Sequence, residues 1–160
     1  MRCITVVALG LFLCGTGTGA AAQGMSVEGG VGLAQGESSF QVGIRGMSTR
    51  TGGVGVDFAV ATYPDAISNG AFSALTDLAI EYRAPLGPNA SASIRAGGSA
   101  LLVSGGGISG SAGGINAGTG VILGLSEKTA FRVDFTYRVI FSGGQSASLS
   151  SLTFGIVIGH

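Results

Sequence analysis

From Thr129 to Ser142 the chain alternates strictly. Phe131, Val133, Phe135, Tyr137, Val139 and Phe141 hold the odd positions, while Arg132, Asp134, Thr136, Arg138 and Ser142 hold even ones. A helix of 3.6 residues per turn would scatter the two sets around its circumference, whereas a strand sends successive side chains to opposite faces. The stretch predicts a β-strand with one apolar and one charged face.

The same period recurs along the chain. Met25, Val27, Val31 and Leu33 oppose Ser26, Glu28, Gly30 and Gly32 in a strand over 25–34. Ser38–Ser48 sets Phe40, Val42 and Ile44 against Ser39, Gln41, Gly43 and Arg45, and Gly53–Thr62 sets Val54, Val56, Phe58 and Val60 against Gly55, Asp57 and Ala59. Phe72–Ala84 follows the loop signals of Tyr63–Gly70 and is stopped by Pro85–Asn89. The alanine- and serine-rich Ala90–Val103 is the fifth strand, and Ser104–Gly114 reads as a glycine-serine loop. Ile115–Leu125, Thr129–Ser142 and, after a Ser142–Ser148 loop, Leu149–His160 complete eight strands joined consecutively, an all-β antiparallel up-and-down meander.

Either a protein core or lipid can face the apolar side, and the placement of charge separates the two. Glu28, Arg45, Asp57, Asp77, Glu81, Arg83, Arg95, Arg132, Asp134 and Arg138 all fall on the polar faces of strands, five acidic and five basic. Glu37, Arg50, Asp65, Glu127 and Lys128 fall in predicted connections. The polar faces otherwise carry mostly glycine, serine and alanine, with few of the Lys, Gln and Thr residues that coat a solvated sheet. Eight strands close into a barrel whose interior is just wide enough for side chains. Small residues leave room there for a balanced Arg/Asp/Glu network, which unpaired charge would make costly. Aromatics near strand ends fit two interfacial girdles, Tyr82, Phe131 and His160 at one rim and Phe40, Phe72 and Phe141 at the other. Alternate connections are also the longer ones. The expectation is a transmembrane barrel with its charges inside, the competing reading being a secreted soluble barrel that binds an apolar ligand.

Composition agrees. Glycine supplies 31 of 160 residues against an ordinary share of about 7%, and charged residues make up 10% against about a quarter. The first 22 residues read as a secretory signal: Arg2, an apolar Ile4–Leu13 run, and Ala20-Ala21-Ala22 before a cut ahead of Gln23. Phe12 and Leu13 stand where a lipoprotein signal at Cys14 wants small residues. Both cysteines, Cys3 and Cys14, lie in that segment, so residues 23–160 form one domain without thiol chemistry. Past the signal there are seven basic and eight acidic groups, which offers nothing to draw in nucleic acid. No later apolar run reaches the roughly eighteen residues of a membrane helix.

On this alternation and charge placement the chain resembles the small eight-stranded bacterial outer-membrane barrels, the OmpA/OmpX-like group. The resemblance implies residence in the cell outer membrane, as a monomer in contact with its lipid. Family members end in a strand read by the outer-membrane assembly machinery. That strand carries a polar residue, a glycine two places on, and two hydrophobic residues at alternate positions at the end. Thr153, Gly155, Ile158 and His160 occupy those places, with His160 departing from the usual Phe or Trp.

Catalytic chemistry finds no foothold in the sequence. His160 is the only histidine, so neither a Ser-His-Asp triad nor a multi-histidine metal site can be assembled. Outer-membrane lipid A deacylases and palmitoyl transferases use an embedded histidine with a serine, which this chain does not supply. Gly105, Gly107 and Gly110 match G-x-G-x-x-G by letter, without a following helix or acidic ribose partner. Asp77 and Glu81 share a face but lie about 13 Å apart along a strand, and each is expected to meet an arginine of a neighbouring strand. The reading is a non-catalytic barrel without cofactor or metal, structural or serving surface recognition. A narrow porin-like channel is the alternative of the same shape.

Overall fold

The computed structural model describes residues 24–34, 37–49, 51–63, 71–105 and 108–159. They form β1 (Gly24–Ala34), β2 (Glu37–Met47), β3 (Gly53–Thr62), β4 (Ala71–Gly87), β5 (Ala90–Gly105), β6 (Ile108–Ser126), β7 (Thr129–Ser142) and β8 (Gln145–Ile158). Each strand pairs antiparallel with the next, and β8 closes onto β1. Closure leaves no sheet edge along the paired span, as a strand structure needs if hydrocarbon surrounds it. The even strand number brings Gly24 and Ile158 to one end, the terminus end. The connections after β1, β3, β5 and β7 leave from the other, the far end. The expected signal segment 1–22, with its cut before Gln23, lies outside the described residues, as do Arg50, Asp65 and His160.

Several strands outrun their sequence patterns. The expected Ser104–Gly114 loop is strand on both sides of its tip, with Leu101 paired to Ala112, Val103 to Gly110 and Gly105 to Ile108. Backbone pairing there overrides a composition poor in β-formers, because strand preference depends on context more than on the residue. The Ser142–Ser148 loop shrinks to Gly143-Gly144, at φ +57° and +80°, between paired Ser142 and Gln145. Two positive φ values in a two-residue hairpin match the type I′ turn, whose twist suits the flanking strands. Pro85 does not end β4: the strand continues to Gly87 through a register shift between Pro85 and Gly87. Glu37 opens β2 and is not in a connection. The longer alternate connections expected from sequence are thus mostly protruding hairpins.

Side chains sort by parity. Val27, Leu78, Ile94 and Ile158 are 58–70% exposed on the outer wall, and Phe135 and Phe141 are half exposed. Arg132 and Asp134 are 1% exposed and Arg138 3%. A soluble barrel with an apolar centre needs the reverse, so that reading fails. Phe40, Phe72 and Phe141 each lie within four residues of the far end of their strands, as one girdle requires. At the terminus end Phe131 stacks on Phe154 at 6.5 Å. Tyr82 sits five residues short of that end, because β4 runs on past the proline.

Candidate functional site

The lumen is the place where this chain concentrates its chemistry. Inward positions of a narrow barrel face one another across a few ångströms, so a long side chain needs a small neighbour. The register supplies one: Arg95 lies opposite Gly118, Asp134 opposite Gly120, Arg132 opposite Gly155, Glu81 opposite Gly55, and Glu28 between Gly43 and Gly155. A Cβ on Gly118 would stand 3.0 Å from the Arg95 guanidinium carbon, and one on Gly155 2.8 Å from Glu28 Cγ. The glycine excess is therefore in part the room that the charges occupy.

All ten inward charges named from sequence are buried, and each has an oppositely charged partner. Eight form one connected cluster. Arg45 donates from Nε to Glu28 Oε1 and from Nη1 to Asp57 Oδ1, both at 2.6 Å. Arg132 donates to Glu81 Oε2 at 2.8 Å and to both Asp134 oxygens, and stands 3.6 Å from Asp57 Oδ2. Arg95 donates to Asp134 and, at 2.5 Å, to Thr136 Oγ1, while Arg83 donates to Glu81 Oε1 at 2.9 Å. Ser26 Oγ donates to Glu28 at 2.9 Å, and Thr153 Oγ1 donates to its other oxygen at 3.4 Å. Among the described residues Arg83 Nε and Asp57 Oδ2 find no hydrogen-bond partner, a local cost.

Nearer the far end lies a second layer. Arg138 donates from Nη2 and Nε to Asp77 at 2.6–3.1 Å and from Nη1 to Ser151 Oγ at 2.7 Å. Ser99 Oγ donates to Asp77 Oδ1 at 2.6 Å, and Asn116 donates to Ser99 at 2.9 Å. The arginines reaching Asp77 and Glu81 do not come from neighbouring strands as expected. Arg138 and Arg132 both project from β7, across the lumen from β4, because the bore is narrow enough for a guanidinium to span it. The gap between the two layers is about 10 Å³, room for a single water.

Apolar residues hold both ends of the lumen, a feature that the placement of charge along the chain does not foretell. Met47, Ile122, Ala130 and Val157 pack together at the terminus end, each 4% exposed or less. Arg132 Nη1 meets the Met47 sulfur from above. Toward the far end Leu75 and Ile140 are buried and point inward. The parity of these residues matches that of the charges on β2, β4 and β7 and, on the uncharged β6 and β8, that of the buried Asn116 and Thr153, and that parity was the available signal.

Of the four C-terminal positions, Thr153 and Gly155 face the ionic cluster and Ile158 faces outward, 64% exposed. His160 lies outside the described residues. Of the G-x-G-x-x-G letters, Gly105 ends β5 and Gly110 lies inside β6, with Gly107 outside the described residues, so a strand follows where a phosphate cradle needs a helix. Among the described residues no group of three His, Cys, Asp or Glu side chains is arranged to hold a metal.

A closed, consecutive eight-stranded barrel with an ionic lumen and an apolar wall is the fold of the small outer-membrane β-barrels. Solved structures bear this out. Neisserial surface protein A superposes with a TM-score of 0.65 at 12% identity, covering 86% of this chain and 96% of that one. The N-terminal barrel domain of Pseudomonas aeruginosa OprF gives 0.60 at 14%, covering 84% and 97%. The outer membrane enzyme PagL gives 0.56 at 16%, covering 83% and 98%. Identities this low establish the shared fold and no more. No protein-family model matches the chain, and no curated protein matches its sequence.

Proposed function

We propose that this protein is a non-catalytic integral barrel of the bacterial outer membrane, with a structural or surface-recognition role and a lumen closed to general solute flow. The observation that carries the reading is the pairing of five carboxylates with five arginines inside a wall whose outer face is apolar. Neutral, mutually bonded charge leaves little reason for a hydrated ion to enter, and dehydrating one among fixed pairs is costly. A barrel fold shared with an enzyme does not transfer its activity, since function belongs to the site and not to the scaffold.

The same reading assigns residues 1–22 to a cleaved export signal and the Thr153, Gly155, Ile158, His160 pattern to recognition by the outer-membrane assembly machinery. Lipid is its partner and the monomer its working state. The test is conductance of the purified protein in planar bilayers, with no unitary steps expected. Discrete steps would instead favour the narrow channel. Fractionation supplies the independent check on location, with recovery in the outer-membrane fraction expected and recovery in soluble periplasm overturning it.

A further inference from the structure

Beyond the Asp77–Arg138 layer the lumen changes character and opens. A cavity of about 510 Å³ lies there, within the range of small-molecule sites. Leu101, Val103, Ala112, Ile140 and Leu149 line it, and among the described residues no charged one does. Ser142 and Gln145 stand at its rim.

One side of this cup is notched. Pairing between β6 and β7 begins at Gly113 with Phe141, so among the described residues the backbone of 108–112 has no ladder partner on its β7 side. Outside, the notch is flanked by Phe141 and Ile115, 51% and 59% exposed. Between these side chains and the cup stand only small residues, Gly110, Ser111, Ala112 and Ser142. An ion entering would lose its water beside Asp77 and Arg138, which already satisfy one another. A hydrocarbon chain loses nothing and buries its surface.

We propose that this cup takes the end of a single acyl chain of an amphiphile, which enters through the β6–β7 notch and leaves its polar head at the serine and glutamine rim. The chain has two possible sources, a bilayer lipid or a free fatty acid. The lipid source rests on the outer-membrane reading; the cup itself does not.

Methyl NMR of the full chain in lipid nanodiscs tests this, with a nitroxide placed near the chain terminus of a phospholipid in one arm and of free stearic acid in the other. The outward methyls of Ile94 and Leu123 report contact with the bilayer. The inward methyls of Leu101, Val103 and Leu149 report occupancy of the cup. Loss of intensity at the inward set in either arm is the expected result, and the arm that produces it names the source. Broadening of the outward set alone, in both arms, overturns the proposal while leaving the membrane reading intact. An outward set untouched by the phospholipid probe overturns the membrane reading instead. Ala112→Trp fills the cup and should abolish the inward loss while the outward loss persists, with folding checked by heat-modifiable gel migration. Leu149→Phe serves if that variant does not fold, and inward broadening that survives the filling variant places the chain elsewhere and sinks the idea.

Discussion

Around Arg132 the lumen is filled by guanidinium and carboxylate groups held at 2.6–3.0 Å, while a few rungs along the same strands it is lined by leucine, valine and isoleucine and stands open. The two regions share one alternation. On β5, Arg95 and Ser99 point the same way as Leu101 and Val103, and on β7 Arg138 points the same way as Ile140. Parity therefore decides which side of the wall a residue takes, and the residues across the bore decide what that position can be. Arg132 is tolerable because Glu81, Asp57 and Asp134 converge on it from three strands. Nothing comparable converges on Leu101.

The sharpest way to break this contrast is to remove the convergence. Arg132→Met leaves three carboxylates without their shared cation, and loss of one partner from a buried ionic group costs about 3–5 kcal/mol. Urea unfolding in lipid vesicles, followed by far-UV circular dichroism, should show a loss of that size; an unchanged midpoint would mean that the cluster is solvated. Next comes the outer wall. Phe135→Arg should cost about 2–4 kcal/mol if that position is at mid-bilayer, whereas Phe141→Arg, near the far rim, should cost about 0–1. Equal costs would place the two residues at one depth and undo the axial assignment.

Much of this was legible beforehand. The eight strands, their order and the inward side of Arg45, Asp77 or Arg138 follow from period-two alternation, because each strand has two unlike faces. The lengths of β5 and β6 did not follow. Glycine and serine near Ser104–Gly114 carry no facial contrast, and only pairing across the hairpin makes them strand. Partner choice was hidden for a related reason: Asp77 reaches Arg138 across the lumen, and sequence spacing holds no information on distances across a closed ring. The apolar ends of the lumen escaped notice because Leu75, Ile122 and Val157 sit at polar-face parity, where an occasional hydrophobic residue looks like noise.

The space around the charges can be probed more gently than the charges themselves. Gly118→Leu brings its Cβ to 2.8 Å from the Phe135 carbonyl oxygen and 3.0 Å from the Arg95 guanidinium carbon, with the rest of the side chain against Arg95. Overpacking of this kind costs about 1–3 kcal/mol. A distinctly smaller loss for Gly118→Ala than for Gly118→Leu would show that added volume against Arg95, and not the approach to the backbone alone, is responsible.

Among substitutions in the lumen, the smallest effect is expected at the open end. Leu101 is only partly buried and borders a cavity that already exists, so Leu101→Ala enlarges an opening without creating a sealed void. Loss of about half the transfer free energy of the deleted carbons amounts to about 1 kcal/mol. Ile122, 3% exposed in the packed terminus end, has no such relief, and Ile122→Ala should cost about 2–5 kcal/mol. The two variants differ in little except the end of the bore they occupy. If Leu101→Ala proves as damaging as Ile122→Ala, the far end is packed as tightly as the terminus end, and the cup is not open to a chain.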